Sequence, residues 1–305
     1  MKKAIEGSKA VAEAVNNCRP AVISAYPITP QTHIVEELSK FKSDGLADFE
    51  FKRSDSEFAA ASIVLGASAA GVRTYTATSS QGLLLMAEVL FTIAGLRLPV
   101  VMTCANRAVS APINIWNDQQ DSLTVRDSGW IMLYAEDNQE AVDMHLVAFK
   151  VAEQTRIPVM VNMDGFVLTH TIEPVDIPER KEVVKFLPDY SPEPGQFLDV
   201  KDPKSLGTLA TPEDYMEIRQ DLFEDMEKSK KNLKIEFTNF KNQFKRGSTG
   251  LIEYYGPKSA KTVIVSMGSV IGTIKDTVDH LNKAGQNIGV LKVKCFRPFP
   301  AEEIT

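Results

Sequence analysis

Short runs of apolar residues alternate with helical patterns from residue 20 to about residue 170. The apolar runs are rich in Val, Ile and aromatic residues, which is typical of strands, and the segments between them carry apolar or small residues at helical spacing. The predicted strands cover residues 20–28, 48–56, 72–80, 98–107, 129–136 and 157–166. The predicted helices cover residues 29–45, 57–71, 81–97 and 138–156.

Several of these strands are continuous apolar runs, so both of their faces are expected to be buried. Strands of this kind that are separated by helices form a parallel sheet with helices on both sides. The sequence therefore predicts an α/β fold with a doubly wound parallel sheet in a first domain, residues 1–250. Within it, residues 171–211 are rich in proline and charge and are expected to form an extended connection along the surface.

Two further patterns follow along the chain. Residues 212–246 predict one or two long charged helices, which are either solvated with a narrow apolar stripe or docked on a partner subunit. Residues 251–305 begin a second α/β unit, with a strand at 261–269, a helix at 270–286 and a strand at 287–300. One such unit cannot bury both faces of its sheet. It either packs on another surface or belongs to a longer chain, and we expect the latter.

Charge and hydropathy argue against several classes of function. The net charge of −6 and the lack of dense basic runs argue against binding to nucleic acid or to anionic membranes. The first 15 residues contain no apolar core of signal-peptide length, which predicts a cytoplasmic protein. Residues 82–102 are the most apolar stretch, but Glu88, Arg97 and Pro99 interrupt them. A buried helix followed by a strand is therefore expected there, and not a membrane span.

The cysteines and histidines show no metal-binding spacing. Cys18, Cys104 and Cys295 are far apart, the sequence contains no Cys-x-x-Cys pair, and the four histidines are equally scattered. The sequence therefore predicts no iron–sulfur cluster of ferredoxin type, no structural zinc and no other metal site on this chain. Each cysteine is expected to be a buried apolar residue in a reducing compartment.

The candidate functional residues follow the ends of the predicted strands. Ligands bind at the carboxyl ends of parallel strands, and the segments that leave those ends are rich in hydroxyl and other polar groups. They are residues 26–29, 54–57, 76–81 and 106–107. The first lies within the sequence Tyr-Pro-Ile-Thr-Pro, whose rigid backbone and central hydroxyl indicate that a ligand is held there.

Three candidates have a functional interpretation and a structural alternative. Glu57 begins a helix of small apolar residues, where it either hydrogen-bonds a ligand nitrogen or interacts favourably with the helix dipole. Arg107 ends an apolar strand and binds either a ligand carboxylate or one of the acids in the sequence Asn-Asp-Gln-Gln-Asp-Ser. Thr29 is either a helix N-cap or part of a rigid ligand-binding turn.

Weaker candidates concern anions and metals. The sequence Thr-Ala-Thr-Ser-Ser-Gln-Gly at 76–82 either cradles an anion at a helix N-terminus or caps the helix. The Met-Asp-Gly at 163–165 shares only the Asp-Gly part of the Gly-Asp-Gly motif in thiamine diphosphate/magnesium sites, and we assign no metal to it. No Walker A, Gly-x-Gly-x-x-Gly or nucleophile-elbow motif occurs in the sequence.

Long stretches of the sequence resemble the α subunit of pyruvate:ferredoxin oxidoreductase, within the thiamine-dependent 2-oxoacid:ferredoxin oxidoreductases. The motifs that carry the resemblance are residues 25–38, 56–91, 98–122 and 297–304. They are long and specific, and the resemblance runs from about residue 6 to the end of the chain. It implies that the second unit is the N-terminal part of a transketolase-C-like domain.

The resemblance also implies that the first domain binds the pyrimidine half of thiamine diphosphate. Glu57 would hydrogen-bond the pyrimidine N1′, and Arg107 and Thr29 would bind the 2-oxoacid, which makes these three the candidate catalytic residues. The further residues that we assign to the cofactor are Pro27, Ile28, Thr29 and Ser80. Phe58 stands where relatives often have His, so this chain has an apolar side chain there in place of that polar group.

The implied reaction is the oxidative decarboxylation of pyruvate with coenzyme A to acetyl-CoA, CO₂ and reduced ferredoxin. The Mg²⁺ and diphosphate site and the [4Fe-4S] clusters are expected on partner subunits of beta, gamma and delta type, with ferredoxin or flavodoxin as electron acceptor. This chain alone is then expected to be inactive. A branched or aryl 2-oxoacid substrate, a non-oxidative thiamine-dependent decarboxylase or transferase, and a non-catalytic subunit are the alternatives.

Overall fold

A computed structural model describes residues 2–305 of the chain. Its strands are β1 (Lys3–Glu6), β2 (Val22–Ala25), β3 (Glu50–Arg53), β4 (Thr74–Thr78), β5 (Val101–Asn106), β6 (Ile131–Tyr134), β7 (Val159–Asp164), β8 (Ile172–Val175), β9 (Ile252–Tyr255), β10 (Thr262–Ser266), β11 (Ile288–Val293) and β12 (Cys295–Arg297). Its helices are α1 (Gly7–Asn17), α2 (Thr32–Ser43), α3 (Glu57–Ala69), α4 (Ser80–Leu85), α5 (Ala87–Gly95), α6 (Gln120–Thr124), α7 (Asn138–Thr155), α8 (Arg180–Phe186), α9 (Pro212–Phe244), α10 (Val270–Lys283) and α11 (Ala301–Ile304).

A seven-stranded sheet forms the centre of the molecule. Its strand order is β12-β6-β7-β5-β4-β2-β3, and every neighbouring pair is parallel except β12 with β6. Parallel neighbours need crossover connections, and here helices on both faces of the sheet provide them. The predicted α/β fold with a doubly wound parallel sheet is confirmed.

The two faces of the sheet bury separate hydrophobic cores, because successive strand residues point to opposite sides. In β6, Ile131 and Leu133 pack among residues of α1, α7 and α9. Met132 and Tyr134, which alternate with them, pack among residues of α3 and α5 on the other face. Every position of β6 is therefore buried, which explains why its sequence is a continuous apolar run.

Residues 212–246 contain one long helix, α9, and not two. Pro212 occupies its first turn, where the missing N–H costs no hydrogen bond. In its C-terminal half, Leu233, Phe237 and Phe240 pack in the same core as α7. In this half of the helix, the narrow apolar stripe is therefore buried against the rest of this chain.

The predicted helix at 81–97 is divided into α4 and α5. Met86 donates its N–H to the carbonyl oxygens of both Gly82 and Leu83, at 3.1 Å each, which tightens the turn between the two helices. Strand β5 follows, so the predicted order of helix and strand in residues 82–102 is confirmed. The helical part is buried on one side only, because Leu85 and Phe91 are exposed. Within residues 2–305, no helix is both long and apolar enough to cross a membrane.

Two segments contain elements that the pattern did not predict. Strand β1 pairs with β8 in an antiparallel two-stranded sheet, with Ile5 opposite Glu173, and α1 then packs against α2 and α7. The connection 171–211 was expected to be extended, but it also contains helix α8. Apart from α8 and β8, which lies at its start, that connection is irregular.

The C-terminal part of the chain contributes to two sheets. Strand β11 lies in the middle of a three-stranded sheet of order β10-β11-β9, whereas β12 joins the large sheet beside β6. The predicted strand at 287–300 is therefore two strands. The pairing of β11 with β9 ends at Val293. The next two N–H groups, those of Lys294 and Cys295, both donate to the carbonyl oxygen of Leu251, at 2.9 and 3.1 Å. The boundary between residues 250 and 251 stays a prediction.

Candidate active site

The carboxyl ends of four neighbouring strands bring the predicted site residues to one edge of the sheet. These strands are β5, β4, β2 and β3, which are parallel to one another. The turn 26–31 leaves β2, Glu57 follows β3, Ser80 follows β4 and Arg107 follows β5. The structure thus brings together the segments that the sequence analysis selected.

Gln31 anchors the turn that follows β2. It is fully buried, its Nε2 donates to the carbonyl of Ala77 at 2.6 Å, and its Oε1 accepts the N–H of Ile28 at 3.2 Å. Because Gln31 itself occupies the N-cap position of α2, the alternative that Thr29 caps this helix is wrong. Thr29 and Pro27 are exposed on the turn, and Ile28 is half-buried.

Glu57 is the first residue of α3 and carries a buried carboxylate, only 8% exposed. The side chain of Ser56 already caps the helix by accepting the N–H of Ala59 at 3.1 Å. No group in residues 2–305 donates a hydrogen bond to the Glu57 carboxylate or forms an ion pair with it. Burying such a carboxylate is costly unless a donor reaches it. Its first-turn position suits the helix dipole, and its oxygens are available to a ligand nitrogen.

Gly82 at the start of α4 leaves the space that the Glu57 carboxylate occupies. A Cβ at residue 82 would lie 2.7 Å from Oε1 of Glu57 and 2.5 Å from Oγ1 of Thr78, closer than real Cβ atoms approach. In the described part of the chain, the buried hydroxyls of Thr78 and Ser79 also have no hydrogen-bond partner. This corner therefore combines an unpaired carboxylate with unpaired hydroxyls, which suits a ligand that carries several polar nitrogens.

Arg107 presents a buried guanidinium, 6% exposed, next to this corner. Nη1 donates to the carbonyl of Thr29 at 2.8 Å, and Nη2 donates to Oε1 of Gln81 at 3.1 Å. Nε is buried, with no acceptor among the described residues. The alternative of a salt bridge to a nearby acid is not found in residues 2–305. The charge and the three N–H groups that neither Thr29 nor Gln81 accepts therefore remain for a ligand carboxylate.

Ser80 adopts a left-handed backbone conformation with a φ of 46°. A non-glycine residue pays about 1–3 kcal/mol for a sparsely populated conformation of this kind, which therefore requires support from its surroundings. The N–H of Ser80 donates to Oδ2 of Asp121 at 2.9 Å, and its hydroxyl donates to the carbonyl of Ala108 at 2.6 Å. The hydroxyl that was predicted to contact the cofactor is thus engaged within the chain.

Asp121 is the residue of this site that the sequence analysis missed. It was considered only as one of several acids that would pair with Arg107. The structure buries it completely and directs four N–H donors at its oxygens. Burial raises the pKa of the Asp121 carboxyl above its usual range, while these hydrogen bonds oppose the rise. No local pattern distinguishes this acid from its exposed neighbours.

Asp164, in the Met-Asp-Gly at the end of β7, links the large sheet to the C-terminal unit. Its Oδ2 accepts the N–H and the hydroxyl of Ser269, at 2.8 and 2.6 Å, and its Oδ1 accepts the amide of Gln119 at 3.1 Å. Over residues 2–305, no three or more His, Cys, Asp or Glu side chains are grouped so that they could hold a metal ion. The carboxylate of Asp164 thus serves a structural contact.

Two family models match the chain. The model described as "Pyruvate flavodoxin/ferredoxin oxidoreductase, thiamine diP-bdg" matches residues 13–237. The model described as "Pyruvate:ferredoxin oxidoreductase core domain II" matches residues 260–305. Together they cover both the large sheet and the C-terminal unit.

Several curated proteins are similar over almost the whole chain. Pyruvate synthase subunit PorA of Methanosarcina barkeri is 52% identical over 303 residues, which are 98% of this chain and 75% of that protein. Pyruvate synthase subunit PorA of Pyrococcus horikoshii is 49% identical over 306 residues, 100% of this chain and 77% of that protein. Ketoisovalerate oxidoreductase subunit VorA of Pyrococcus abyssi is 44% identical over 304 residues, which are 100% of this chain and 77% of that protein.

A solved structure has the same fold. It is a 2-oxoglutarate:ferredoxin oxidoreductase from Magnetococcus marinus with 2-oxoglutarate, coenzyme A and succinyl-CoA bound. The superposition has a TM-score of 0.78 at 20% identity and covers 99% of this chain. This chain spans 55% of the length of that chain.

Proposed function

The chain belongs to the pyruvate:ferredoxin oxidoreductase family as an α subunit, and we propose that the site formed by Glu57 and Arg107 at the strand ends binds the pyrimidine of thiamine diphosphate and the carboxylate of pyruvate. The membership confirms the resemblance seen in the sequence motifs. The reaction of this family is the oxidation of pyruvate with transfer of the acetyl group to coenzyme A and of electrons to ferredoxin. The residue roles below are the proposal.

The observation that carries the proposal is the unpaired, buried carboxylate of Glu57. A carboxylate in this environment binds a ligand N–H strongly, because it is largely buried and no described residue donates a hydrogen bond to it. We propose that Glu57 holds a proton at N1′ of the pyrimidine. Thiamine diphosphate, when bound, supplies the carbon nucleophile and the electron sink of the reaction.

The packing around Glu57 supports the same assignment. Gly82 lets the Glu57 carboxylate approach the start of α4, and the unpaired hydroxyls of Thr78 and Ser79 offer further hydrogen bonds beside it. The turn with Pro27 and Ile28 leaves β2 next to these groups and would form a wall of the pocket. These contacts hold the pyrimidine in one orientation and exclude water from its N1′ side.

Arg107 is proposed to bind the carboxylate of pyruvate. Its partners in the chain are the neutral oxygens of Thr29 and Gln81, so the positive charge is uncompensated by any acid among the described residues. A buried guanidinium of this kind is stabilised by a ligand carboxylate through charge-assisted hydrogen bonds. The contact with the Thr29 carbonyl places the turn beside the bound substrate, where the Thr29 hydroxyl is available to it.

The remaining parts of the reaction are assigned to partner subunits. We propose that the Mg²⁺ and diphosphate site and the [4Fe-4S] clusters lie on subunits of beta, gamma and delta type. Coenzyme A binds as co-substrate in the assembled enzyme, and ferredoxin or flavodoxin accepts the electrons. We also propose that the protein acts in the cytoplasm. Sustained oxidation of pyruvate by this chain on its own would overturn this division of labour.

The test is an assay of the enzyme purified with its natural partners. Reduction of a viologen dye is measured with pyruvate, 2-oxoisovalerate, 2-oxoglutarate and phenylglyoxylate, each with and without coenzyme A. We expect reduction that depends on coenzyme A and is fastest with pyruvate. A preference for 2-oxoisovalerate would instead align the chain with its ketoisovalerate oxidoreductase relatives. If no oxoacid reduced the dye, in a complex that contains thiamine diphosphate and intact clusters, a non-oxidative decarboxylase or a non-catalytic subunit would be favoured, because neither transfers electrons to the dye.

A further inference from the structure

Asp121 connects the two segments that follow β4 and β5. Its Oδ2 accepts the backbone N–H of Ser80 at 2.9 Å and that of Arg107 at 3.0 Å. Its Oδ1 accepts the N–H of Ser122 at 2.7 Å and the side-chain amide of Asn106 at 2.9 Å. One completely buried carboxylate therefore fixes the distance between the two connections.

The guanidinium of Arg107 depends on both of these connections. It leaves the end of β5, and its Nη2 donates to Gln81, the residue that directly follows Ser80. The left-handed backbone of Ser80 sets the direction in which α4 starts, and its N–H is held by Asp121. If Asp121 released either backbone group, the side-chain Oε1 of Gln81 and the Arg107 guanidinium would shift relative to each other.

Asp121 acts on the backbone of Arg107 and not on its charge. Its carboxylate accepts the backbone N–H, while the guanidinium forms no ion pair with an acid in residues 2–305. The acid thus orients the arginine without competing with a ligand carboxylate for the guanidinium. The N–H groups of Arg107 that neither Thr29 nor Gln81 accepts are the ones that this arrangement leaves for a ligand.

We propose that Asp121 is a positioning residue for 2-oxoacid binding, which holds Arg107 and Gln81 at the spacing that the substrate carboxylate requires. The inference rests on the proposed role of Arg107. An Asn at residue 121 would turn its amide N–H₂ toward one of the two pairs of N–H donors, so accepted hydrogen bonds would be lost while the size of the side chain is kept. Displacements of about 1 Å in a binding site can cost about 100-fold in rate.

The experiment is a double-mutant cycle on the enzyme assembled with its natural partners. The variants are Asp121→Asn, Arg107→Ala and the combination of the two, with Asp118→Asn as control. Asp118 is an exposed acid of the same segment, and among residues 2–305 it accepts only the N–H of Gln120. Initial rates give KM and kcat for pyruvate and for coenzyme A, and subunit content and thiamine diphosphate content report assembly.

We expect Asp121→Asn to raise KM for pyruvate about tenfold or more, to leave KM for coenzyme A unchanged, and to add less than about twofold in the Arg107→Ala background. Asp118→Asn is expected to remain within about twofold of the wild type. An equal effect of Asp121→Asn in both backgrounds would overturn the inference, since a general structural role is additive. A normal KM in Arg107→Ala would instead overturn the proposed role of Arg107 itself, and the inference with it.

A second variant covers the case in which Asp121→Asn does not assemble. Asp121→Glu keeps the charge and displaces the carboxylate by one methylene, so it enters the same cycle with the same expected non-additivity. If neither variant assembled, Asp121 would be required for the fold, and the positioning role would be overturned.

Discussion

The carboxylate of Glu57 packs so closely on the backbone of Gly82 that a Cβ at residue 82 would lie 2.7 Å from Oε1. The two residues come from different strand-to-helix connections, one after β3 and the other after β4. The absence of a side chain at one position thus sets where the carboxylate of the other can lie. This dependence gives the first test of the site.

Gly82→Ala is expected to displace the Glu57 carboxylate and to lower kcat for pyruvate at least about 100-fold, the loss typical of a misplaced proton-handling group. Viologen reduction by the assembled enzyme measures it. Gly66→Ala is the matched control, because Gly66 lies within α3 and a Cβ there meets nothing within 4 Å. That change should keep activity and add up to about 1 kcal/mol of helix stability. Wild-type activity in Gly82→Ala would show that the contact does not position Glu57.

Glu57→Gln separates a catalytic from a non-catalytic subunit. The amide keeps the shape of the side chain but cannot hold a proton at N1′, so we expect kcat to fall about 100-fold or more while the subunits still assemble. Since no described residue donates a hydrogen bond to the carboxylate, the thermal midpoint of the enzyme should not fall. Glu88→Gln, at an exposed position of α5, should be fully active. Full activity in Glu57→Gln would instead support a non-catalytic subunit.

The convergence of Glu57, Ser80 and Arg107 was predictable from the sequence because it follows from local rules. Continuous apolar runs separated by helices indicate parallel strands, and the carboxyl ends of neighbouring parallel strands lie at one edge. The residue types at those ends then indicated the chemistry. Their functional roles came from the family resemblance, since composition alone left each of them with a structural alternative.

Other features depend on contacts between distant residues, which local patterns do not encode. Strand β1 pairs with β8 only because the chain returns after β7, and the chain passes from the three-stranded sheet to the large sheet at Lys294, between β11 and β12. The role of Asp121 likewise appears only when two strand-end segments meet around it. In the sequence it is one acid in a polar loop.

Arg107→Lys tests whether the substrate carboxylate needs a guanidinium. Lysine keeps the charge but has a single donor nitrogen. It cannot replace the two nitrogens with which Arg107 donates to Thr29 and Gln81 and also offer planar N–H groups to the substrate carboxylate. We expect KM for pyruvate to rise at least about tenfold, with KM for coenzyme A unchanged. Arg126→Lys, at an exposed site, should behave like the wild type. Equal KM values for pyruvate in both variants would remove Arg107 from substrate binding.

A buried chain of hydrogen bonds between β4, β5 and α7 makes stability depend on pH. The imidazole of His145 donates from Nδ1 to the carbonyl of Ala141 at 2.6 Å and accepts the hydroxyl of Thr103 at Nε2, and Tyr75 donates its own hydroxyl to Thr103. Complete burial lowers the pKa of His145 to about 4 from an ordinary value of 6.5. The native state therefore needs the neutral imidazole.

This shift predicts a loss of stability in acid. Between pH 6.5 and 4, His145 is protonated in the unfolded chain but still neutral in the native state. Its contribution to the free energy of unfolding is therefore complete above pH 6.5 and declines as pH falls, by about 2 kcal/mol at pH 5. Asp143 has the opposite effect on stability. Burial raises the pKa of its carboxyl to about 6, so its contribution to the free energy of unfolding increases as pH falls. Comparison of variants at each pH separates the two contributions.

The measurement is hydrogen exchange of the assembled enzyme at pH 7 and pH 5, followed by mass spectrometry of the peptides that contain β4 and β5 and corrected for intrinsic exchange rates. In His145→Leu the titrating group is gone, so protection should fall less from pH 7 to pH 5 than in the wild type. His280→Leu, which removes an exposed histidine of α10, should retain the wild-type dependence. The same loss of protection in His145→Leu and in the wild type would show that His145 does not control this response, because the acid-sensitive group would then lie elsewhere.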